Sequence, residues 1–168
     1  SRANHGVEIT LSNDEKVLKF DAVIFATHSD QALKLLKDSN DQEVEILSSF
    51  PYQKNEVLLH TDSSVLPRRK LAWASWNYQL DNDPSAPVIL TYNMNILQSI
   101  KSEYTFCVTL NDHNSVNKEK IIKKIVYHHP LFTVDSIKAQ KRKHEISGVN
   151  NTYYCGAYWR NGFHEDGV

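Results

Sequence analysis

The stretch Asn151–Val168, NTYYCGAYWRNGFHEDGV, restricts the fold of this chain more than any other. Tyr153, Tyr154 and Cys155 read as a short buried strand, because aromatic and sulfur side chains suit a pleated, half-buried surface. Gly156 breaks the strand, and a loop carrying Tyr158, Trp159, Gly162 and Phe163 follows. His164, Glu165, Asp166 and Gly167 stand where a helix is expected to start, since acidic side chains favour a first turn. A strand, a glycine, an aromatic loop and a helix start together present unpaired backbone N–H groups, which suits an electron-rich ligand.

The other end of the chain carries a matching unit. Val7, Ile9 and Leu11 alternate with Glu8 and Thr10, and Val17, Leu18 and Phe20 follow the turn-rich SNDEK, which predicts a hairpin. Asp21–Thr27, DAVIFAT, is a continuous apolar run, as in a parallel strand buried on both faces. Ser29 or Asp30 is expected to cap a helix bearing Ala32, Leu33, Leu35 and Leu36.

Between these ends the pattern is mostly strands. Asp41–Ser49 reads as a short helix that Pro51 ends. Gln53–Thr61, Leu71–Tyr78, Val88–Asn93 and Thr105–Leu110 read as strands, with an exposed turn at Asp81–Pro87 and one helical turn within Met94–Glu103. Val116–Val126 permits helix or strand and stops at Pro130. Thr133 or Asp135 then caps a polar helix to about Ile146, with Gly148 as its stop. Successive strands with short links imply an α+β fold: a mixed, largely antiparallel sheet with flanking helices.

At 168 residues the chain can bury one sizeable core, and a net charge of −1 gives no electrostatic basis for nucleic-acid binding. No run approaches the ~18 apolar residues of a membrane span. Cys107 and Cys155 each sit in an apolar run and read as buried free thiols of a cytoplasmic chain. No G-x-S-x-G, P-loop or G-x-G-x-x-G motif occurs. His128 and His129 face opposite ways on a strand. Together with His164, Glu165 and Asp166 they match no zinc spacing, so no metal is expected. Ala74, Trp76 and Tyr78 share one sheet face and Trp73 the other; sheet core is the weightier reading for them and for Tyr92, with a substrate-lining face as the alternative.

Gly156–Val168, GAYWRNGFHEDGV, closely resembles the C-terminal flavin-binding segment of the flavin-containing amine oxidoreductases. More narrowly, the chain is similar to bacterial predicted NAD/FAD-binding, amine-oxidase-like proteins. DAVIFATHSDQALKLL (Asp21–Leu36), LPRRKLAWASWNY (Leu66–Tyr78) and YHHPLFT (Tyr127–Thr133) fit that branch in the same order. The resemblance implies FAD as cofactor. It places Ala26 and Thr27 near the dinucleotide phosphates, Gly156 and Ala157 at the strand-end approach to the pyrophosphate, and Gly162, Phe163, His164, Glu165, Asp166 and Gly167 beneath the flavin. His164, Glu165 and Asp166 are more charged than their counterparts in many amine oxidases, so backbone contacts are expected there rather than side-chain ones.

The same resemblance implies a parent that oxidises a C–N or C–C bond of a small-molecule substrate by hydride transfer to flavin, with no acid or base assignable from these residues. Because the fingerprint that grips the ADP half of FAD is missing, residues 1–168 are expected to be one C-proximal portion. Residues 1–36 and 151–168 would be flavin-domain-like edges and 37–150 a substrate-domain-like sheet with helices. The remainder of the parent chain would be the partner that completes the site. Alone, this portion is expected to bind FAD weakly or not at all and to be inactive. The alternatives are an interaction module with a vestigial flavin site and a metal-dependent hydrolase built on His128, His129, His164, Glu165 and Asp166.

Overall fold

Residues 1–3, 6–12, 16–79, 88–112 and 114–167 are described by a computed structural model, with the backbone alone for Ala3 and His164. The chain divides into two compact units, Ser1–Gln53 with Pro130–Val168, and Lys54–His129. Residues 37–53 and 130–150 therefore belong to the same unit as the two ends of the chain.

The first unit opens with β1 (Arg2–Ala3), β2 (Gly6–Thr10) and β3 (Val17–Phe20), an antiparallel three-stranded sheet in which Val7 pairs with Phe20 and Thr10 with Val17. The alternation that predicts this hairpin sets its register; part of the expected turn, residues 13–15, lies outside the described residues. β4 (Val23–Phe25) follows, then α1 (Ser29–Leu35) and α2 (Asp41–Ser48). The cap of α1 is His28, one residue before the expected Ser29: the Gln31 side chain reaches back to accept the His28 N–H at 3.3 Å. Asn40 caps α2 by accepting the Glu43 N–H at 2.8 Å, while the Glu43 carboxylate accepts the Asn40 N–H at 3.0 Å, a reciprocal box that satisfies two orphan donors.

The second unit is built on a five-stranded sheet. Its strands are β5 (Tyr52–His60, entering from the first unit), β6 (Trp76–Gln79), β7 (Ile89–Asn93), β8 (Cys107–Leu110) and β9 (Ile121–Pro130), with α3 (Met94–Leu97) after β7. The order is β6-β7-β8-β5-β9, and β6–β7, β7–β8 and β8–β5 are antiparallel. Thr61 bonds Lys120 and Asn55 bonds His129, so β9 also runs antiparallel to β5. The ambiguous segment before Pro130 is thus a strand from Ile121 onward. The expected strand Leu71–Tyr78 is strand only from Trp76: Lys70–Ala72 is a 3-10 turn, and Trp73 Nε1 donates to Pro67 O at 2.8 Å. The turn expected at Asp81–Pro87 lies outside the described residues.

The two faces of this sheet differ in chemistry. On one, Thr91, Asn93, Cys107, Thr109 and His60 are buried. The Asp62 N–H donates to His60 Nδ1 at 3.1 Å, which leaves the ring proton on Nε2 to donate to Thr109 Oγ1 at 2.8 Å. Thr109 in turn meets Thr91 Oγ1 at 2.8 Å. Burial holds His60 below the usual histidine range and pushes the Cys107 thiol up to about 11, so both are neutral near pH 7. The opposite face carries Trp76, Tyr78, Tyr92, Leu90, Val108 and Val57. Trp76 packs edge-on against Tyr92, with centroids 5.4 Å apart, yet Trp76 is 43% and Tyr78 59% exposed. These two aromatics are therefore not sheet core, although Val57 and Leu90 on the same face are buried.

Asp62 ties the loops below this sheet together. Burial opposes its charge, but the N–H groups of Asn117 and Ser64, the Ser64 hydroxyl and the Lys120 ammonium outweigh that and bring its carboxyl down to about 2. A depressed folded pKa stabilises above the unfolded value near 3.8 and is lost as the pH falls towards 2. Asp62→Asn is expected to remove about 2 kcal/mol at pH 7 and to flatten stability between pH 4 and 2, read by urea unfolding across that range.

The chain returns to the first unit with α4 (Val134–Lys141), α5 (Lys143–Ile146) and β10 (Thr152–Tyr154). Thr133 caps α4, as expected, and the predicted single helix breaks at Arg142. Gly148, at φ +91°, ends it. β10 lies parallel to β4, with Thr152 beside Val23 and Tyr154 beside Phe25. Ala32, Ile46, Leu47, Phe50, Ile146 and Tyr154 form the buried core against one face of this pair. The other face is open: Ile24 is 66% exposed, so β4 is not buried on both faces as its apolar run predicts. A cavity of about 330 Å³ runs along β4, lined by Val7, Ile9, Ile24, Ala26, Thr27 and Leu36 among others.

Arg2, Asp38, Glu43 and Tyr154 join the ends of this unit. The Glu43 side chain is fully buried and pairs with the Arg2 guanidinium through both oxygens; the Tyr154 hydroxyl donates to it at 2.9 Å. Arg2 also holds Asp38 at 3.0 Å. Both cysteines are free thiols. Among the described residues no helix is long and apolar enough to cross a membrane.

Candidate functional site

Parallel pairing of β4 and β10 brings their carboxyl ends side by side, the place where open α/β sheets offer ligands a crevice. Ala26 and Thr27 leave one strand and Cys155, Gly156 and Ala157 the other. The Cys155 N–H donates to Phe25 O at 2.9 Å and closes the ladder. Gly156 has φ +143°, and a Cβ there would lie 2.7 Å from the Tyr158 ring and 3.7 Å from Thr27 O. Glycine is thus needed twice, for the backbone conformation and for the ring folded over it.

Ala157–Trp159 forms a 3-10 turn, and the chain then doubles back. The Gly162 N–H donates to Ala157 O at 3.1 Å, and a Cβ on Gly167 would lie 3.5 Å from Ala157 N. The geometry therefore gathers Ala26, Thr27, Gly156, Ala157, Gly162 and Gly167 at one edge. Phe163 is exposed beside them, as is Glu165. The His164 side chain lies outside the described residues.

The expected helix start is instead a single 3-10 turn, His164–Gly167. Asp166 is turned inward: its Oδ2 accepts the N–H groups of Asn161 and Phe163, each at 3.1 Å. Those two donors serve the loop itself. Trp159 and Arg160 donate to Gly156 O and Ala157 O. Among the described residues, no oxygen accepts from the N–H of Gly156 or Ala157. The Tyr158 hydroxyl and Trp159 Nε1 are buried without a hydrogen bond of ordinary geometry.

The sequence gives no hint of Tyr52. Its hydroxyl accepts the Ser29 N–H at 2.8 Å and donates to Ser29 Oγ at 3.2 Å, while its ring stacks on His28. Only the packing of β5's first residue against the start of α1 reveals this. Among the described residues, no group of three or more His, Cys, Asp or Glu is placed to hold a metal.

No family model and no curated protein matches the chain. Among solved structures it is similar to the crystal structure of a CLA-producing fatty acid isomerase from P. acnes, at 16% identity and a TM-score of 0.64. The match covers 99% of this chain and 43% of that one, so the chain spans less than half the length of the structure it resembles. At that identity the likeness concerns the fold alone.

Proposed function

We propose that this chain is the C-proximal part of an FAD-dependent, amine-oxidase-like oxidoreductase of the cytoplasm, which acts on a small-molecule substrate. The observation that carries the reading is the juxtaposition of Ala26–Thr27 with Gly156–Ala157 at the carboxyl ends of two parallel strands. The residues there fit the cofactor. Small side chains allow close approach, and the Gly156 and Ala157 N–H groups are donors without an acceptor among the described residues. Such donors suit a phosphate or the pyrimidine edge of the flavin, where fixed dipoles stabilise developing charge. Bound FAD would supply the hydride-accepting chemistry for a C–N or C–C bond. This chain's part is to hold the cofactor, and the rest of the parent would supply the remaining grip.

The likeness to a fatty acid isomerase favours a second reading, in which the parent moves a double bond along an acyl chain without net oxidation. One experiment tests both. The full-length parent is mixed anaerobically with candidate amines and unsaturated fatty acids, and flavin absorbance and product are followed. Lasting bleaching by a substrate, reversed by an electron acceptor, supports the oxidoreductase. An isomer formed with no acceptor consumed supports the isomerase. A flavin-loaded parent inert to both classes would contradict both readings.

A further inference from the structure

We infer that Gln140 is a positioning residue of the strand-end site, whose amide holds the loop that presents the Gly156 and Ala157 N–H groups; the inference rests on the flavin reading above. Between Gly156 and Gly162 the backbone bonds converge. The Trp159 N–H donates to Gly156 O, and the Arg160 and Gly162 N–H groups both donate to Ala157 O. The carbonyls of Tyr158 and Arg160 stand outside that set, and among the described residues no backbone N–H reaches them. Gln140 takes both. Its Nε2 donates to Tyr158 O at 3.0 Å and to Arg160 O at 2.6 Å, so the two hydrogens of one amide serve two carbonyls of one turn.

Gln140 can anchor the loop because α4 is itself fixed. Its neighbour Ala139 belongs to the buried core, Ser136 is fully buried, and Thr133 caps the helix. The same stretch of chain makes two further contacts with the loop. Lys143 Nζ stands 5.7 Å from the centre of the Trp159 ring, and a Cβ on Gly162 would meet the Phe132 ring at 3.1 Å. A cation over a ring and an apolar contact hold the loop near α4 but tolerate small rotations. A hydrogen bond weakens steeply as its angle closes, so the Gln140 amide is the contact that fixes how the turn is rotated. That rotation sets the direction of the Ala157 N–H, which opens the same 3-10 turn. Donors held in place before the ligand arrives leave it little ordering cost on binding.

The test compares two variants of the full-length parent. Gln140→Met keeps the length of the side chain and removes both donors; Gln140→Glu keeps its shape and sets a carboxylate against the two carbonyls. Gln140 is only half-buried, so both are expected to fold. FAD affinity, the visible circular dichroism of the bound flavin and the melting temperature without FAD are measured for each. FAD affinity is expected to fall about tenfold in Gln140→Met, the scale of one or two net hydrogen bonds, and further in Gln140→Glu. The flavin dichroism is expected to change in both, because it reports the surroundings of the ring and not the stability of the chain. FAD affinity and dichroism unchanged in Gln140→Met, whatever its melting temperature, would leave Gln140 a stabilising residue only and overturn the inference. Gln140→Glu binding FAD as wild type does would overturn it too. A wild-type parent that binds no FAD would instead fail the functional reading itself, and this inference with it.

Discussion

Glu43→Ala is expected to destabilise the first unit by about 3–5 kcal/mol, the penalty for leaving a buried charge without its partner. Glu43 is fully buried, and the Arg2 side chain facing it is 3% exposed. Removing the carboxylate leaves the guanidinium with Asp38 and a long 3.5 Å bond to Thr152 Oγ1, leaves the Tyr154 hydroxyl unpaired, and undoes the reciprocal cap with Asn40. Each loss falls on a different element, β1, β10 and α2, so local relaxation cannot recover them together. Glu43→Gln keeps an acceptor for Tyr154 and Asn40 and is expected to cost less. Burial opposes the Glu43 charge, but Arg2, the Asn40 N–H and Tyr154 outweigh it and hold the carboxyl below its ordinary value. That stabilisation is present above the ordinary glutamate pKa of ~4.3 and is lost as the pH falls below it. Urea unfolding at pH 7 and near pH 3 checks both statements. Equal midpoints for wild type and Glu43→Ala at pH 7 would contradict them.

Gly156→Val is expected to damage fold and site together. At φ +143° a branched side chain adds backbone strain of about 1–3 kcal/mol. Its Cβ would also stand 2.7 Å from the Tyr158 ring, which packs edge-on against Phe50 and beside Trp159 and cannot swing away freely. Overpacking of that kind costs about 1–3 kcal/mol more. Because Gly156 sits against Thr27 O, the displacement opens the strand-end edge, and FAD affinity of the parent is expected to fall at least about tenfold. Gly156→Ala should err in the same direction and less. A Gly156→Val parent with wild-type melting temperature and FAD affinity would remove Gly156 from both roles.

Where side-chain alternation decides local structure, the sequence is readable: the β2–β3 hairpin, β7 and β8 follow from it, and so does the α+β class. Caps with side-chain oxygens are readable too, as Thr133 shows. Leu71–Tyr78 misleads because Leu71, Trp73 and Trp76 are apolar for different reasons, the first two in and after a 3-10 turn and only the third on a strand. DAVIFAT predicts the parallel strand but not its open face, since a run of apolar residues does not say which layers cover it. The strand-end site joins residues more than a hundred positions apart, and pairing at that distance leaves no local mark. Asp166 is the sharpest case. An acid beside a glycine at an expected helix start suggests a ligand-facing turn, whereas its carboxylate accepts two N–H groups of its own loop.

The central claim is that the parent of this chain holds FAD along the edge formed by Ala26–Thr27 and Gly156–Ala157. Its most direct test is the absorbance spectrum of the full-length protein after incubation with FAD and removal of free cofactor. Retained flavin bands at stoichiometric level, lost in Gly156→Val, are predicted. A well-folded full-length protein that retains no flavin would contradict the account.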